Sequence, residues 1–527
     1  MIEKTAPYIS NTAGGKPKSS SQENHQGHLN KIAKGASINF TGDVAGKAML
    51  FLITLVLARS FSNEHLGVYF LGLSIIQVLS KLGLMGLGIG VVRFVSISSA
   101  DLDDAAARGI VIGAVTLSLF LSSLIAGVLF AMREWMATTL LSVPEVSPIL
   151  GCLSLAVPFE ASTNILLSAT RGLKYMHYTV IVEKIIVLGS RLAFVLLLVI
   201  LMAGGVEGAA MAYLFASVVG LGFAFYYCNR IISITKFTRP PKALIIKLLA
   251  FSLPMLPTSF VRDLAKELDI LMLSWLAPIS AVGIYSIALR LIGFTEAAFR
   301  AFRGIFDPFI ADMHHKGETA NLAKMYKLIT RWSLMTSLPL FVLVILYPSF
   351  FMGLFNDTLT AGASCLSLLI VAHLFSAFSG PASSMIFMSG RPYLSFTNNV
   401  CYLLVKFILN LLLIPRLLMV GAAAAHGLAI TMLAAARIVE VVKLMRLHPF
   451  QSSLSKPLLA SIAGMTPLYL FTGIDPDISV TMMFIVTFSF LSLYTLFLVL
   501  MRLDNDDRYI LRQIKMKILR VKFTPYA

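Results

Sequence analysis

The chain has 527 residues, 57% of them apolar and only 13% charged, where a soluble domain carries about 25% charged residues. Apolar runs of roughly twenty residues, long enough to span a bilayer core of about 30 Å, recur throughout and exclude a soluble globular enzyme. The net charge of +17 lies mainly in the connecting segments, so it speaks for membrane topology and against a nucleic-acid partner.

Residues 1–35, rich in Ser, Gly, Lys and Asn with no apolar stretch, read as a disordered cytosolic tail. Fourteen candidate spans follow, at 36–58, 68–91, 109–132, 148–170, 180–202, 206–228, 248–275, 279–302, 328–352, 362–388, 395–415, 419–443, 457–473 and 479–501. The first six (36–228) are expected to form an N-terminal lobe and the next six (248–443) a C-terminal lobe, joined by the basic cytosolic linker 229–247. Spans thirteen and fourteen occupy 444–501, and 502–527 is a basic cytosolic tail. Within that tail, 508–522 places Ile510, Ile514, Ile518 and Val521 among basic residues at helical spacing, as an interfacial helix would. Thirty of the 43 Lys and Arg fall in one alternating set of connecting segments, against three (Arg59, Arg133 and Arg416) in the opposite set. Both termini are therefore expected in the cytosol, and the number of spans is even.

An internal repeat recurs at an offset of about 216 residues. Leu66-Gly67-Val68-Tyr69 opens the second span and Val282-Gly283-Ile284-Tyr285 the eighth. Near an offset of 218, Arg171-Gly172-Leu173-Lys174-Tyr175 matches Ser389-Gly390-Arg391-Pro392-Tyr393. Six spans separate the copies, so they insert with one orientation, an architecture of transporters.

Ionisable residues at bilayer depth cost at least about 2.5 kcal/mol each and face a bundle interior or a wet cavity. Asp43 and Lys47 share a face of the first span, and Lys81 lies in the second. The fifth carries Glu183, Lys184 and Arg191. The seventh concentrates five charges, Arg262, Asp263, Lys266, Glu267 and Asp269, just after Pro254 and Pro257, which interrupt the backbone ladder. Arg290, Glu296 and Arg300 follow in the eighth; Lys406, Arg437 and Glu440 lie in the eleventh and twelfth. The candidate substrate-cavity bases are Lys47, Lys81, Arg262, Lys266, Arg290 and Arg300. The candidate coupling or charge-pairing acids are Asp43, Asp263, Glu267, Asp269 and Glu296. Six against five is nearly balanced, so the count alone does not define an anion site.

Gly83, Gly86, Gly88 and Gly90 sit within an apolar span and are expected to serve close helix packing rather than nucleotide binding. His373 and His426 are lone intramembrane histidines, expected in satisfied core positions with proton coupling as the lesser reading. Cys152, Cys228, Cys365 and Cys401 lie in apolar runs without metal-like spacing. No catalytic, metal or nucleotide motif is present, so neither an enzyme nor a cofactor is expected.

The stretch 51–97 resembles the opening of bacterial polysaccharide-biosynthesis flippases of the O-antigen (Wzx-like) type, through Ala58-Arg59, Leu66-Gly67-x-Tyr69 and Val92-Arg93. Phe251-Ser252-Leu253-Pro254, Leu268-Asp269, Val282-Gly283-Ile284-Tyr285, Asp307-Pro308, Gly390-Arg391-Pro392, Ile414-Pro415-Arg416 and Gly421-Ala422-Ala423 follow that family's order. The resemblance covers roughly 30–445 and implies the multidrug/oligosaccharidyl-lipid/polysaccharide (MOP) exporter superfamily. It implies two lobes around a central cavity that opens alternately to either side; of the charged candidates, only Asp269 matches a recurring family position. Fourteen spans also fit the lipid II flippase branch.

The expected fold is thus an all-α polytopic membrane protein of about 14 transmembrane helices in two pseudo-symmetric lobes around a central cavity. The expected function is flipping of a polyprenyl-(pyro)phosphate-linked oligosaccharide across the bacterial inner membrane. The implied partners are that lipid-linked substrate, membrane lipids and the polysaccharide polymerase or export machinery. The alternatives are a cation-coupled multidrug exporter of the same superfamily and a membrane-embedded glycan polymerase or ligase, which would need a larger periplasmic loop than any here.

Overall fold

The computed structural model describes residues 41–236, 242–472 and 479–501, with backbone alone at 296–309, 311, 312, 315, 392, 471 and 472. Both expected tails, the basic stretch 508–522 and part of the 229–247 linker lie outside the described residues. Among the described residues every regular element is a helix.

In chain order these are α1 Thr41–Ser60, α2 Asn63–Leu84, α3 Leu87–Ala100, α4 Asp104–Leu140, α5 Val146–Gly172, α6 Met176–Leu201, α7 Gly205–Ile232 and α8 Lys242–Leu276. Then come α9 Ile279–His315, α10 Thr319–Leu346, α11 Pro348–Gly353, α12 Asp357–Ala377, α13 Ala382–Met388, α14 Pro392–Met445, α15 Ser455–Thr472 and α16 Val480–Leu500. Side-chain caps fix several starts: Ser62 accepts from His65 N, Asp103 from Ala106 N and Ser479 from Met482 N, each satisfying an amide that has no intrahelical partner.

Eleven of the described helices are long and apolar enough to cross a membrane, and each of the fourteen expected spans overlaps described helix, with 36–40 and 473 outside the described residues. The count closes because α14 serves as two spans, turning at Leu418 (φ 50°, ψ −128°). Three expected spans are interrupted, one of them, 328–352, at Tyr347 between α10 and α11. The span 68–91 breaks between α2 and α3, where Met85 (φ 45°) and Gly86 (φ 69°) are left-handed. The backbone of α8 comes so close there that a Cβ on Gly86 would overlap the Ser252 carbonyl and meet Leu256 N at 3.3 Å. The span 362–388 breaks between α12 and α13, where Gly380 (φ 55°) lies against Thr330.

Helices α2 to α7 pack largely on one another: α5 against α3, α4 and α7, and α6 against α7. A second bundle joins α8 and α12 to α14, and α10 to α9 and α12. The bundles meet where α2 lies against α8 and α9. Outward-facing Phe484, Ile485 and Phe488 leave α16 with a broad exposed apolar face, as lipid solvent requires.

Candidate functional site

A cavity of about 600 Å³ lies between the bundles, within the range of ligand pockets. Its walls come from α1 (Lys47), α2 (Phe70, Gln77), α6 (Arg191), α8 (Lys266, Glu267), α9 (Arg290, Phe294), α12 (His373) and α14 (Tyr402, His426).

Its charge is lopsided: Lys47, Arg191, Lys266 and Arg290 face one carboxylate, Glu267. The near balance counted along the sequence shifts because Asp43 and Asp269 are spent elsewhere, while Asp263 offsets Lys266. Asp43 pairs with Lys184 at 3.6 Å rather than with Lys47 on its own helix. Asp263 holds Lys266 at 2.7 Å and Arg262 at 3.4 Å. Asp269, fully buried, points away from the cavity into the second bundle.

Two of the bases stand out. The Arg191 guanidinium donates to Tyr69 OH at 2.7 Å and lies 4.5 Å over the Tyr213 ring. The Arg290 guanidinium donates to the Ser286 carbonyl at 3.1 Å and lies 3.6 Å over the Phe70 ring. Among the described residues neither forms an ion pair. Aromatic faces and neutral acceptors hold both in place while leaving their charge available to an anion.

Lys81 lines a neighbouring cavity of about 280 Å³ instead, with Ser80, Glu160, Asn164, Glu183 and Tyr213; Gln77 lines both. The Tyr213 hydroxyl donates to the Glu160 carboxylate. Glu267 accepts from Ser74 Oγ at 2.7 Å, Lys47 lies 5.6 Å from the Phe294 ring, and Glu440 accepts from Asn398 at 2.7 Å. Glu296 and Arg300 fall where the backbone alone is described. Arg191 and Glu160 lie outside the cavity set expected from the sequence, although a carboxylate in the middle of an apolar span is a visible signal.

The histidines are not lone. His373 Nε2 and His426 Nε2 are 3.3 Å apart, and His426 Nδ1 reaches Asp269 Oδ2 at 2.8 Å. Lys406, with no exposed surface, meets the same oxygen at 2.6 Å. Tyr285 OH meets it at 3.0 Å, and Asn410 Nδ2 donates to Oδ1 at 2.9 Å.

Residues 32–296 match the model of a family described as polysaccharide biosynthesis protein. The chain belongs to that family. No curated protein sequence matches it. Its fold is that of MOP-superfamily transporters. The lipid II flippase MurJ in an inward closed conformation is 15% identical and superposes with a TM-score of 0.67, over 88% of this chain and 98% of MurJ. An inward-facing multidrug resistance MATE family transporter of the MOP superfamily is 16% identical with a TM-score of 0.67, over 80% and 99%. A MOP superfamily transporter from Pyrococcus furiosus is 15% identical with a TM-score of 0.60, over 81% and 96%. This member of the polysaccharide biosynthesis family is accordingly a multi-pass membrane protein with the MOP fold and a base-rich cavity between its bundles.

Proposed function

We propose that the chain flips a polyprenyl-(pyro)phosphate-linked oligosaccharide from the cytosolic to the outer leaflet of the bacterial inner membrane, by alternating access. The observation that carries this reading is the pair of guanidiniums, Arg191 from α6 and Arg290 from α9, facing one cavity with no described carboxylate within the 4.0 Å of an ion pair. Two such groups suit the oxygens of a phosphate or pyrophosphate. Lys47 and Lys266 widen the positive field, and the polyprenyl tail stays in the bilayer through a gap between the lobes. Both termini lie in the cytosol, and the two lobes comprise residues 36–228 and 248–443.

A cavity into which Arg191 and Arg290 both bring guanidiniums disfavours cationic drugs as cargo. The test is to deplete the protein and analyse polyprenyl-linked glycans by mass spectrometry with leaflet-selective labelling. Completed units accumulating on the cytosolic face are the expected result. An unchanged lipid-linked pool with increased retention of cationic dyes would replace this reading with that of a drug exporter.

A further inference from the structure

We propose that the smaller cavity of the first bundle is a subsite for a single uncharged pyranose, the sugar joined directly to the pyrophosphate of the cargo. This rests on the flippase reading above, and it names the part of the cargo that the guanidinium pair does not meet.

The smaller cavity holds about 280 Å³, just under the roughly 300–1,000 Å³ of sites for drug-sized ligands, which suits a single ring and not a chain of sugars. Its position matters as much as its size. Gln77 of α2 lines both cavities. Tyr213 of α7 lines the smaller one, and the Arg191 guanidinium, a wall of the larger one, rests 4.5 Å over the Tyr213 ring. A shared side chain and an arginine–aromatic contact thus mark the boundary between the two chambers. In a sugar pyrophosphate the anomeric oxygen is itself bonded to phosphorus. An anion held at Arg191 therefore carries its sugar to the wall of the smaller cavity.

The chambers differ in charge. The larger receives both guanidiniums, whereas the smaller has one ammonium, Lys81, and two carboxyl groups, Glu160 and Glu183. It offers no surplus of positive charge to a second anion, and a pyranose bearing its own carboxylate would meet two acids there.

What the smaller cavity offers is open hydrogen-bonding capacity. Among the described residues the side-chain amide of Gln77 has no hydrogen-bond partner; Ser80 Oγ donates at 3.2 Å to the backbone carbonyl of that residue instead. Asn164 of α5 accepts at Oδ1 from Ser168 Oγ across a long 3.5 Å, and its Nδ2 donates to no described group. Neither Lys81 nor Glu183 forms an ion pair with a described residue. The Tyr213 hydroxyl, by contrast, is committed to Glu160, and Thr163 and Ser217 donate to carbonyls of their own helices at 2.8 and 3.0 Å. Amide donors, an ammonium and a carboxyl acceptor around a small space match a ring of hydroxyls, each of which both donates and accepts. Leu84 and Val187 supply apolar wall for its C–H faces.

The full chain in lipid nanodiscs, with empty nanodiscs as the control, would be titrated calorimetrically with farnesyl pyrophosphate and with its glucose, galactose, N-acetylglucosamine and glucuronic acid conjugates. At least one uncharged sugar should tighten binding by about tenfold over farnesyl pyrophosphate, the gain of a few neutral hydrogen bonds, and glucuronic acid should give no gain. In Asn164→Leu the gain should fall below about twofold, with binding of farnesyl pyrophosphate reporting that the chain is folded. Arg290→Gln, outside the smaller cavity, should weaken every compound and keep the gain. The comparison of uncharged with charged sugars needs no variant, so it decides even where Asn164→Leu fails to fold. No gain from any uncharged sugar, an equal gain from glucuronic acid, or an undiminished gain in Asn164→Leu would each overturn the subsite while leaving the flippase reading in place. Failure of farnesyl pyrophosphate and all its conjugates to bind the parent chain would overturn both.

Discussion

Gly67 of α2 and Gly283 of α9 seat each helix's backbone against the other: a Cβ on Gly283 would lie 3.0 Å from Gly67 N and overlap the Asn63 carbonyl, and one on Gly67 would overlap the Ile279 carbonyl. These are the two glycines of the 216-residue repeat, so the copies meet through equivalent positions. The tyrosine two residues after each anchors the polar cluster of its own side: Tyr69 holds Arg191 and Tyr285 holds Asp269. Gly67→Val should destabilise the protein by at least about 1–3 kcal/mol, since backbone on the facing helix cannot yield to an overpacked side chain. Gly222→Ala, where an added Cβ meets nothing within 4 Å, should not destabilise by overpacking. Thermal unfolding of the two purified variants in detergent checks this, and equal stability would contradict it.

Leu418 occupies φ 50°, ψ −128° at the turn inside α14, backbone space in which a non-glycine residue costs of order 1–3 kcal/mol. Leu418→Gly should therefore unfold at a higher temperature than the parent chain. A lower midpoint would mean that packing of the leucine outweighs the strain.

The spans were legible because bilayer thickness sets a length that each apolar run either meets or fails. Arg191 shows where such reading stops. Its helix, α6, contains π-helical turns at Ile181–Ile186 and Leu196–Leu201, each of which rotates the face that a 3.6-residue period would assign. Charge counting along the chain suggested balance, because it could not see Asp43 leave Lys47 for Lys184 or Asp269 turn inward to Lys406. The His373–His426 pair is separated by 53 residues and joined only by the packing of α12 on α14, which no local pattern encodes.

Arg191 and Arg290 offer a direct test of the cavity. Each charged hydrogen bond to an anion contributes about 1.5–3 kcal/mol, so Arg191→Gln and Arg290→Gln should each weaken binding of undecaprenyl pyrophosphate to the purified protein by at least about tenfold. The double variant should fail to restore surface glycan in depleted cells while remaining folded. Arg262→Gln, whose guanidinium is already turned toward Asp263, should have a smaller effect. Equal losses for Arg262 and Arg191 would remove the special role assigned to the unpaired guanidiniums.

Lys406 and Asp269 form a pair with no exposed surface on either side chain, and such a pair is far costlier to break than to replace. Lys406→Met leaves a buried carboxylate with its neutral donors only, and should destabilise the protein by about 3–5 kcal/mol. Adding Asp269→Asn removes the orphaned charge while keeping a side chain of the same shape beside Tyr285, Asn410 and His426. The double variant should therefore recover much of the stability that Lys406→Met alone loses, a coupling that additive substitutions would not show. Thermal unfolding of the two single variants and the double variant supplies the cycle. Strict additivity would show that the ion pair is no energetic tie between α8 and α14, and would leave α8 held by its apolar packing alone.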